Sequence, residues 1–571
     1  MSANPPIALI TLHAGFHHSS LALRSIAACC RDEPFYTDIR LFESTVKADP
    51  NQVIDEIAAS APRLAGFSTY LWNIDLCLAL AEALKARSPN TSIVFGGPEA
   101  GPRGEELLAT RPAVDFIIEG EGEFAFRDLA RVLLRNEGRL DAVSGLLWRE
   151  ENRMRRNPIR PVPPEELISP YTEGLLDADK PLIYWETSRG CPFRCSFCTS
   201  AGDQLRTLPD SRIEAELEVL GRLEHKTVKL LDRSFHLGAK RTLRLLKRFL
   251  DTPDSLRFHL ELNPDRITPE AMALFESAPP GKFQFEIGLQ TLDDGVLDRI
   301  ERRMDVPKGT ENIRQLVAMN RHPVHLDLIV GLPDEDAEQC RTSMDRVFNL
   351  GADHLQLGTL KLLPGTALRH QASQYDYRFD PDPPYEVHSH RSLGADALNR
   401  FKHYAELIER LWNSGLLRHT LTWWVPTHFH HRVSRLLDVL LEIAPDLAHR
   451  PPPHRMFNAV ATLLEPHAGK DPVLRQLFAW DYGHFALPGR QAPAVVHEAI
   501  TWHAVDVGGR RKHRPVYTLG ERACEVVNKR RREPLASGRY ALWPRKHLKG
   551  RPATRIRIQD TCPRVAKGSK M

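Results

Sequence analysis

The chain has 571 residues, more than one hydrophobic core usually fills, so two or three domains are expected. Apolar residues make up 42% and the mean hydropathy is -0.36, a globular composition with no apolar run long enough to cross a membrane. A formal charge of +4 gives no reason to expect a polyanionic partner, and nine cysteines, three of them close together, exclude a disulfide framework and point to a reducing, cytoplasmic setting. Residues 1–6 lack the basic segment and cleavage pattern of a signal peptide, so none is expected.

From residue 7 short apolar runs alternate with helical spacing. Strands are expected at 7–12, 39–42, 64–69, 92–95 and 115–118, with helices such as 21–30 and 76–86 between them. The alternation predicts an open parallel sheet covered on both faces, a Rossmann-like (flavodoxin-like) domain over 1–150, whose ligands bind beyond the carboxyl ends of the strands. Those ends carry His17, His18, Ser19 and Ser20; then Ser68, Thr69, Tyr70, Leu71 and Trp72; then Gly96, Gly97, Pro98 and Glu99; then Glu119, Gly120, Glu121, Gly122 and Glu123. Glycine pairs let backbone approach a ligand closely, and hydroxyls offer short donors. Singly each loop is an ordinary turn, and a flavodoxin-like domain without a cofactor is the alternative.

A small hairpin is expected from 143–148, and prolines 158, 161, 163 and 164 mark a linker over 151–180. Residues 182–187 read as a buried strand, and the loop beyond it holds Cys191, Cys195 and Cys198. Offsets of four and three bring soft thiolates to one side of a short loop, as an iron-sulfur cluster requires, and a fourth thiolate is missing nearby. A zinc site short of one ligand and a chance grouping are the alternatives. The C-x3-C-x2-C spacing, with the aromatic Phe197 before the last cysteine, resembles the radical S-adenosylmethionine (SAM) enzymes. The resemblance implies a 4Fe-4S cluster on Cys191, Cys195 and Cys198 as the catalytic set, with its open iron holding SAM.

Further strands are expected at 227–231, 257–262, 283–289, 324–330 and 354–360, with helices such as 213–223 and 242–250. With 182–187 these six units match the family's partial (β/α)6 TIM-type barrel, here over 181–370, with SAM and substrate at its carboxyl-terminal mouth. The resemblance implies SAM contacts from Phe197, Asp232, Arg233, Glu261, Glu286, Gln290, Gly331 and Leu332. The segment at Asp232 departs from the Gly-Gly-Glu type that the family often places there, which leaves the roles of Asp232 and Arg233 open. Glu261, Glu286 and Gln290 are the strongest choices, since an ammonium and a ribose need acceptors. For each carboxylate a helix cap is the alternative.

The N-terminal loops, in their order and ahead of this motif, resemble the cobalamin-binding domain of cobalamin-dependent radical SAM enzymes. The resemblance implies cobalamin held by His17 to Ser20, Ser68 to Trp72, Gly96 to Glu99 and Glu119 to Glu121, with its nucleotide tail buried in the sheet. The first loop lacks the Asp-x-His-x-x-Gly of methionine-synthase-type domains, so a base-off cobalamin without a histidine ligand is expected. Tyr70, Leu71 or Trp72 then lies below cobalt, and His18 bonds at a helix start.

A mainly helical region over 371–508 is expected to cap the barrel, with Tyr385, His428, His430 and His431 either there or simply packed. Residues 509–571 read as a solvated basic tail, with no nucleic-acid partner expected. The resemblance implies a methyltransferase. A 5'-deoxyadenosyl radical takes hydrogen from a small-molecule or peptide substrate, methylcobalamin supplies the methyl group to the unactivated carbon, and an external flavodoxin- or ferredoxin-type donor supplies electrons. Cyclisation, oxidation or rearrangement without methyl transfer is the alternative, and a non-catalytic cobalamin-binding carrier or sensor a further one.

Overall fold

Ile7, Ala8, Leu9 and Ile10 are all buried, so β1 (Ile7–His13) is apolar on both faces and takes the middle of a sheet. It pairs in parallel with β2 (Ile39–Thr45) and β3 (Leu64–Ser68), and β4 (Ser92–Gly96) and β5 (Phe116–Ile118) continue the parallel run. The hairpin β6 (Leu146–Glu150) and β7 (Arg153–Arg156) adds two antiparallel strands, giving the order β2-β1-β3-β4-β5-β6-β7. The strand order reverses between β1 and β3, and that reversal opens a crevice at the carboxyl ends. The computed structural model describes residues 6–151, 153–235, 238–486, 492–507, 510–529, 535–542 and 555–558.

The second sheet begins at β8 (Leu182–Trp185). A two-residue antiparallel pair, β9 (Ser188–Arg189) with β10 (Arg206–Thr207), closes the loop 190–205 that carries the three cysteines. β11 (Thr227–Leu230), β12 (Arg257–Glu261), β13 (Phe283–Gln290), β14 (Val324–Val330) and β15 (His354–Thr359) complete a six-stranded parallel sheet of order β15-β14-β13-β12-β11-β8. Every pairing is parallel and β8 does not close on β15, so this is a partial barrel. β13 alternates buried with half-buried residues: Phe283, Phe285, Ile287 and Leu289 join the apolar core, while Gln284, Glu286, Gly288 and Gln290 take the other face.

The short pair β16 (Arg378–Phe379) and β17 (Val387–Ser389) leads into helices from Ala395 to Glu498. Four antiparallel strands follow: β18 (Ile500–Val507), β19 (Arg510–Leu519), β20 (Gly538–Leu542) and β21 (Arg555–Ile558). Two expectations are corrected here. The helical region gives way to strand at Ile500, and the segment expected as a solvated tail supplies three strands and the helix Glu521–Asn528. Tyr517, Leu519, Ala523, Val526 and Val527 are buried against the C-terminal helices, so the apolar side of this segment outweighs its charge. Residues 509, 530–534, 543–554 and 559–571 of the expected tail lie outside the described residues. Among the described residues no helix is long and apolar enough to cross a membrane.

Candidate active site

The cysteine loop is fastened at both ends. At its start, Asp232 is fully buried and accepts from the Thr187 N–H at 2.7 Å, the Thr187 hydroxyl at 2.6 Å and the Ser188 hydroxyl. Gly190 then turns with φ +84, where a Cβ would meet the Gln204 carbonyl oxygen at 2.2 Å. Further on, the Ser196 N–H donates to the Ile300 carbonyl at 2.9 Å and the Leu368 N–H to the Ser196 carbonyl at 2.8 Å. The loop is thereby tied to both the fourth and the sixth strand units of the barrel.

Cys191 and Cys195 are buried and Cys198 half-buried, all three as free thiols. The Ser234 hydroxyl lies 3.9 Å from Cys191 Sγ, an Arg302 Nη1–H reaches Cys195 Sγ at 3.7 Å, and the Ser200 N–H donates to Cys198 Sγ at 3.4 Å. Burial raises the Cys198 thiol pKa, with the Ser200 N–H and the nearby Arg233 acting in the opposite direction. Arg302 also donates to Asn263 Oδ1 at 3.3 Å and to the Gly288 carbonyl, and its Nε is buried without a hydrogen-bond partner. Among the described residues no group of three or more His, Cys, Asp or Glu is placed to hold a single metal ion. Thiolates of a cubane stand on separate irons and need not share one point, so the mononuclear zinc alternative gains no support from this geometry.

A groove of about 360 Å³ runs between the two domains. Its deep wall is apolar, from Leu9, Ile26, Val94 and Phe126; its middle is formed by Ser68, Tyr70, Gly96, Gly97, Pro98 and Gly120. Its far rim carries Glu186, Arg189, Leu231 and Arg233 from the barrel. Gly97 has φ +105, and a Cβ there would meet the Thr69 carbonyl oxygen at 2.4 Å, so the loop admits only glycine at this approach. Beside the groove, Tyr184 of β8 stacks on His18 at 5.7 Å and its hydroxyl lies 2.7 Å from His18 Nδ1. Burial lowers the His18 pKa, with His13 and His17 adding to the effect.

Residues 7–130 match the model of the B12 binding domain, and residues 185–347 match that of the radical SAM superfamily. The chain carries a B12-binding domain followed by a radical SAM domain. A third match, over residues 373–433, is to a protein family of unknown function. The chain is 28% identical over 350 residues to the cobalamin-dependent radical SAM methyltransferase TokK of Streptomyces tokunonensis, 57% of this chain and 51% of TokK. It is 26% identical over 320 residues to the 2-(S-pantetheinyl)-carbapenam-3-carboxylate methyltransferase of Streptantibioticus cattleyicolor, 52% of this chain and 47% of that one. The chain thus spans about half the length of these curated relatives. Its fold is that of OxsB, a cobalamin-dependent S-adenosylmethionine radical enzyme: TM-score 0.60 and 16% identity over 84% of this chain and 79% of OxsB. TsrM of Kitasatospora setae, a radical SAM methyltransferase, gives TM-score 0.53 and 17% identity over 66% of this chain and 79% of TsrM.

Several residues expected at the cofactor sites bond to other parts of the chain. Asp232 is fully buried as the anchor of the cysteine loop, and its burial raises its pKa against those three hydrogen bonds. Leu332 is fully buried and Gly331, φ +93, lies under Leu360, Val387 and Leu398 with its carbonyl accepting from Tyr377, so the C-terminal region covers both. Glu99 is buried and bonded to Arg103 and Tyr385, and Glu119 accepts two bonds from Arg156 at 2.8 and 2.9 Å. Thr69 is fully buried, its hydroxyl donating to the Gly96 carbonyl at 2.8 Å, and Ser20 caps the helix Leu21–Cys29. The polar residues among these, Asp232, Glu99, Glu119, Thr69 and Ser20, are each bonded to backbone or side-chain partners within the chain.

Other residues do gather. Glu286 accepts from Lys229 at 2.9 Å and lies 2.7 Å from His259 Nε2, which together hold its carboxyl well below the usual range against its burial. Glu261 is 4.0 Å from Lys229, and burial, with Glu286 beside it, raises its pKa. Gln290 adopts φ +70 at the register shift after Gly288. Phe197 is half-buried against the barrel core, and Arg233 is exposed on the groove rim. On the N-terminal side Ser68, Tyr70, Gly96, Gly97, Pro98, Gly120 and Glu121 line the groove; His17 is exposed, Ser19 buried, Leu71 half-buried, and Trp72 exposed, stacked on Tyr70 at 4.6 Å. Ser234 and Asn263 lie in the strand-end segments 232–235 and 261–265, Ser234 beside Cys191 and Asn263 bonded to Ser234 and Arg302, whereas sequence reading missed Arg302, which reaches Cys195. Arg302 sits in the run Arg299, Glu301, Arg302, Arg303, where nothing marks which guanidinium turns inward.

Proposed function

We propose that this chain is a cobalamin-dependent radical SAM methyltransferase that places a methyl group on an unactivated carbon of a small-molecule or peptide substrate. The observation that carries the reading is the single groove lined on one side by the N-terminal glycine loops and on the other by Arg233, which neighbours Cys198. The side chains present fit the three cofactors. Cys191, Cys195 and Cys198 would hold a 4Fe-4S cluster and leave one iron for SAM. Ser234 and Arg302 beside the thiols, with Asn263 bonded to both, offer donors and acceptors, as a zwitterionic ligand needs. The apolar deep wall suits the nucleotide base of a cobalamin, and the carboxylates at the rim suit the amide N–H groups around a corrin.

When bound, the cluster and SAM supply a hydrogen-abstracting radical and the cobalamin a methyl group. The chain's own part is placement. Asp232 fixes the start of the cysteine loop, and Arg302 joins Cys195 to the ends of β12 and β13. The C-terminal region, reaching Gly331 and Glu99, covers one side of the barrel and shields it from water. An external one-electron donor belongs to the same reading.

The test is anaerobic purification from cells supplied with cobalamin, followed by incubation with SAM, a low-potential reductant and a metabolite or peptide pool. The expected result is near-stoichiometric cobalt, about four irons per chain, and S-adenosylhomocysteine formed together with 5'-deoxyadenosine. Cys195→Ala is expected to lose iron and all 5'-deoxyadenosine; retention of either sinks the cluster assignment. The chain shares the fold of OxsB, a cobalamin-dependent S-adenosylmethionine radical enzyme, and a second reading keeps both cofactors but ends in cyclisation, oxidation or rearrangement. That reading yields 5'-deoxyadenosine without S-adenosylhomocysteine.

A further inference from the structure

Two residues before Cys191, Arg189 extends its side chain out of the cysteine loop and into the N-terminal domain. One Nη–H donates to Glu121 at 3.2 Å, the other to Glu123 at 2.5 Å and Glu186 at 2.6 Å, and Nε–H is shared between both Glu186 oxygens at 3.1 Å. The guanidinium is 16% exposed. Glu121 precedes the helix Gly122–Ala130 that follows β5, Glu123 lies in its first turn, and both line the groove, as Glu186 and Arg189 do from the barrel side. Glu121 also accepts from Arg206 at 2.7 Å and from the Val162 N–H at 2.6 Å. Three carboxylates therefore share the guanidinium groups of Arg189 and Arg206.

The backbone on either side of Arg189 has little slack. Asp232 holds Thr187 and Ser188, β9 pairs with β10, and Gly190 presses on the Gln204 carbonyl. A displacement of Glu121 or Glu123 by a ligand in the groove thus reaches the first cysteine through one side chain and two peptide units. We infer that Arg189 is a positioning residue that couples occupancy of the groove to the state of the cysteine loop. This rests on the cobalamin and cluster assignments above. Because coupling between two sites is reciprocal, the cluster must alter cobalamin affinity by the same factor as cobalamin alters the cluster.

The experiment is the Kd for hydroxocobalamin, read from its absorption spectrum, for the full chain before and after reconstitution with iron and sulfide. The wild type is expected to show roughly a 5- to 10-fold difference between the two forms, the lower range of typical coupling. In Arg189→Gln and in Glu123→Gln the ratio is expected to fall to about 1, and Arg189→Lys, which keeps charge but not the fork, is expected to fall between. The reciprocal readout is the retention of the cluster, measured as iron bound per chain in competition with a chelator, with and without hydroxocobalamin, where the same fold-change is expected. A wild-type ratio of 1, or a wild-type ratio retained in both Gln variants, overturns the coupling while leaving the cofactor assignments standing. No uptake of hydroxocobalamin by the wild type overturns those assignments and the coupling with them.

Discussion

At the residue scale, Glu335 shows how burial sets chemistry outside the cofactor sites. It is 1% exposed, accepts from the Thr291 hydroxyl at 2.6 Å, and its second oxygen has no hydrogen-bond partner. Burial pushes its pKa up to about 7, with the Thr291 bond acting against it. A carboxyl raised in the folded state contributes its full stability below the unfolded value near 4.5 and loses it as pH rises through the folded value. The loss is about 3 kcal/mol once pH exceeds 7. Glu335→Gln, which mimics the protonated acid, is therefore expected to melt above the wild type at pH 8 and level with it near pH 4.5. Melting curves across that range check it; a gap independent of pH contradicts the assignment.

At the scale of elements, the segment joining β8 to the cysteines is held by one carboxylate. Asp232 satisfies one backbone and two hydroxyl donors, while Arg241, 3.9 Å away, donates to the Thr187 carbonyl at 2.7 Å. Removing the acceptor leaves three buried donors unpaired and the Arg241 charge uncompensated. Asp232→Ala is expected to cost about 3 kcal/mol, in the range for breaking a buried charged network. It is also expected to reduce iron incorporation severalfold, measured as iron per folded chain, although Asp232 touches no thiol. Normal iron content at wild-type stability would show that the loop is fixed without it.

At the scale of the molecule, the three regions meet at Tyr385. This residue follows the barrel, is fully buried, and its hydroxyl bonds to Glu99 while accepting from Arg103 at 2.9 Å, both in the N-terminal domain. Arg369 lies over its ring at 4.8 Å, and Gly365 packs on Pro102. The clamp thus fixes the glycine loop of the groove from a segment almost three hundred residues away. Tyr385→Phe keeps the ring and the 3.2 Å Glu99–Arg103 pair but loses the hydroxyl, worth about 1 kcal/mol. Amide exchange across 97–104 is expected to speed about fivefold, with the β11 to β14 amides unchanged; equal acceleration in both regions would indicate general destabilisation instead.

Much of this architecture follows from local pattern. Continuous apolar runs such as Ile7 to Ile10, and the alternation from Phe283 to Gln290, state their sheet environments outright, because burial on one or two faces is a property of neighbouring residues. The cysteine spacing and the glycine loops were equally legible, since metal ligation and close backbone approach each demand particular residue types at short range. The partners of the charged residues were not. Asp232, Glu99 and Glu119 stand at strand ends where a ligand contact was expected, yet each is taken by an arginine, tyrosine or backbone donor, two of them far along the chain. Arg189 and Arg302 turn toward the site from charge-rich segments that look solvated. The sequence by itself determined which elements form and which glycine- and cysteine-bearing loops stand at the carboxyl ends of the strands. Only the tertiary structure decided which of those polar groups remain open to a ligand, because an ion pair in a half-buried site is settled by whichever distant partner the fold brings within reach.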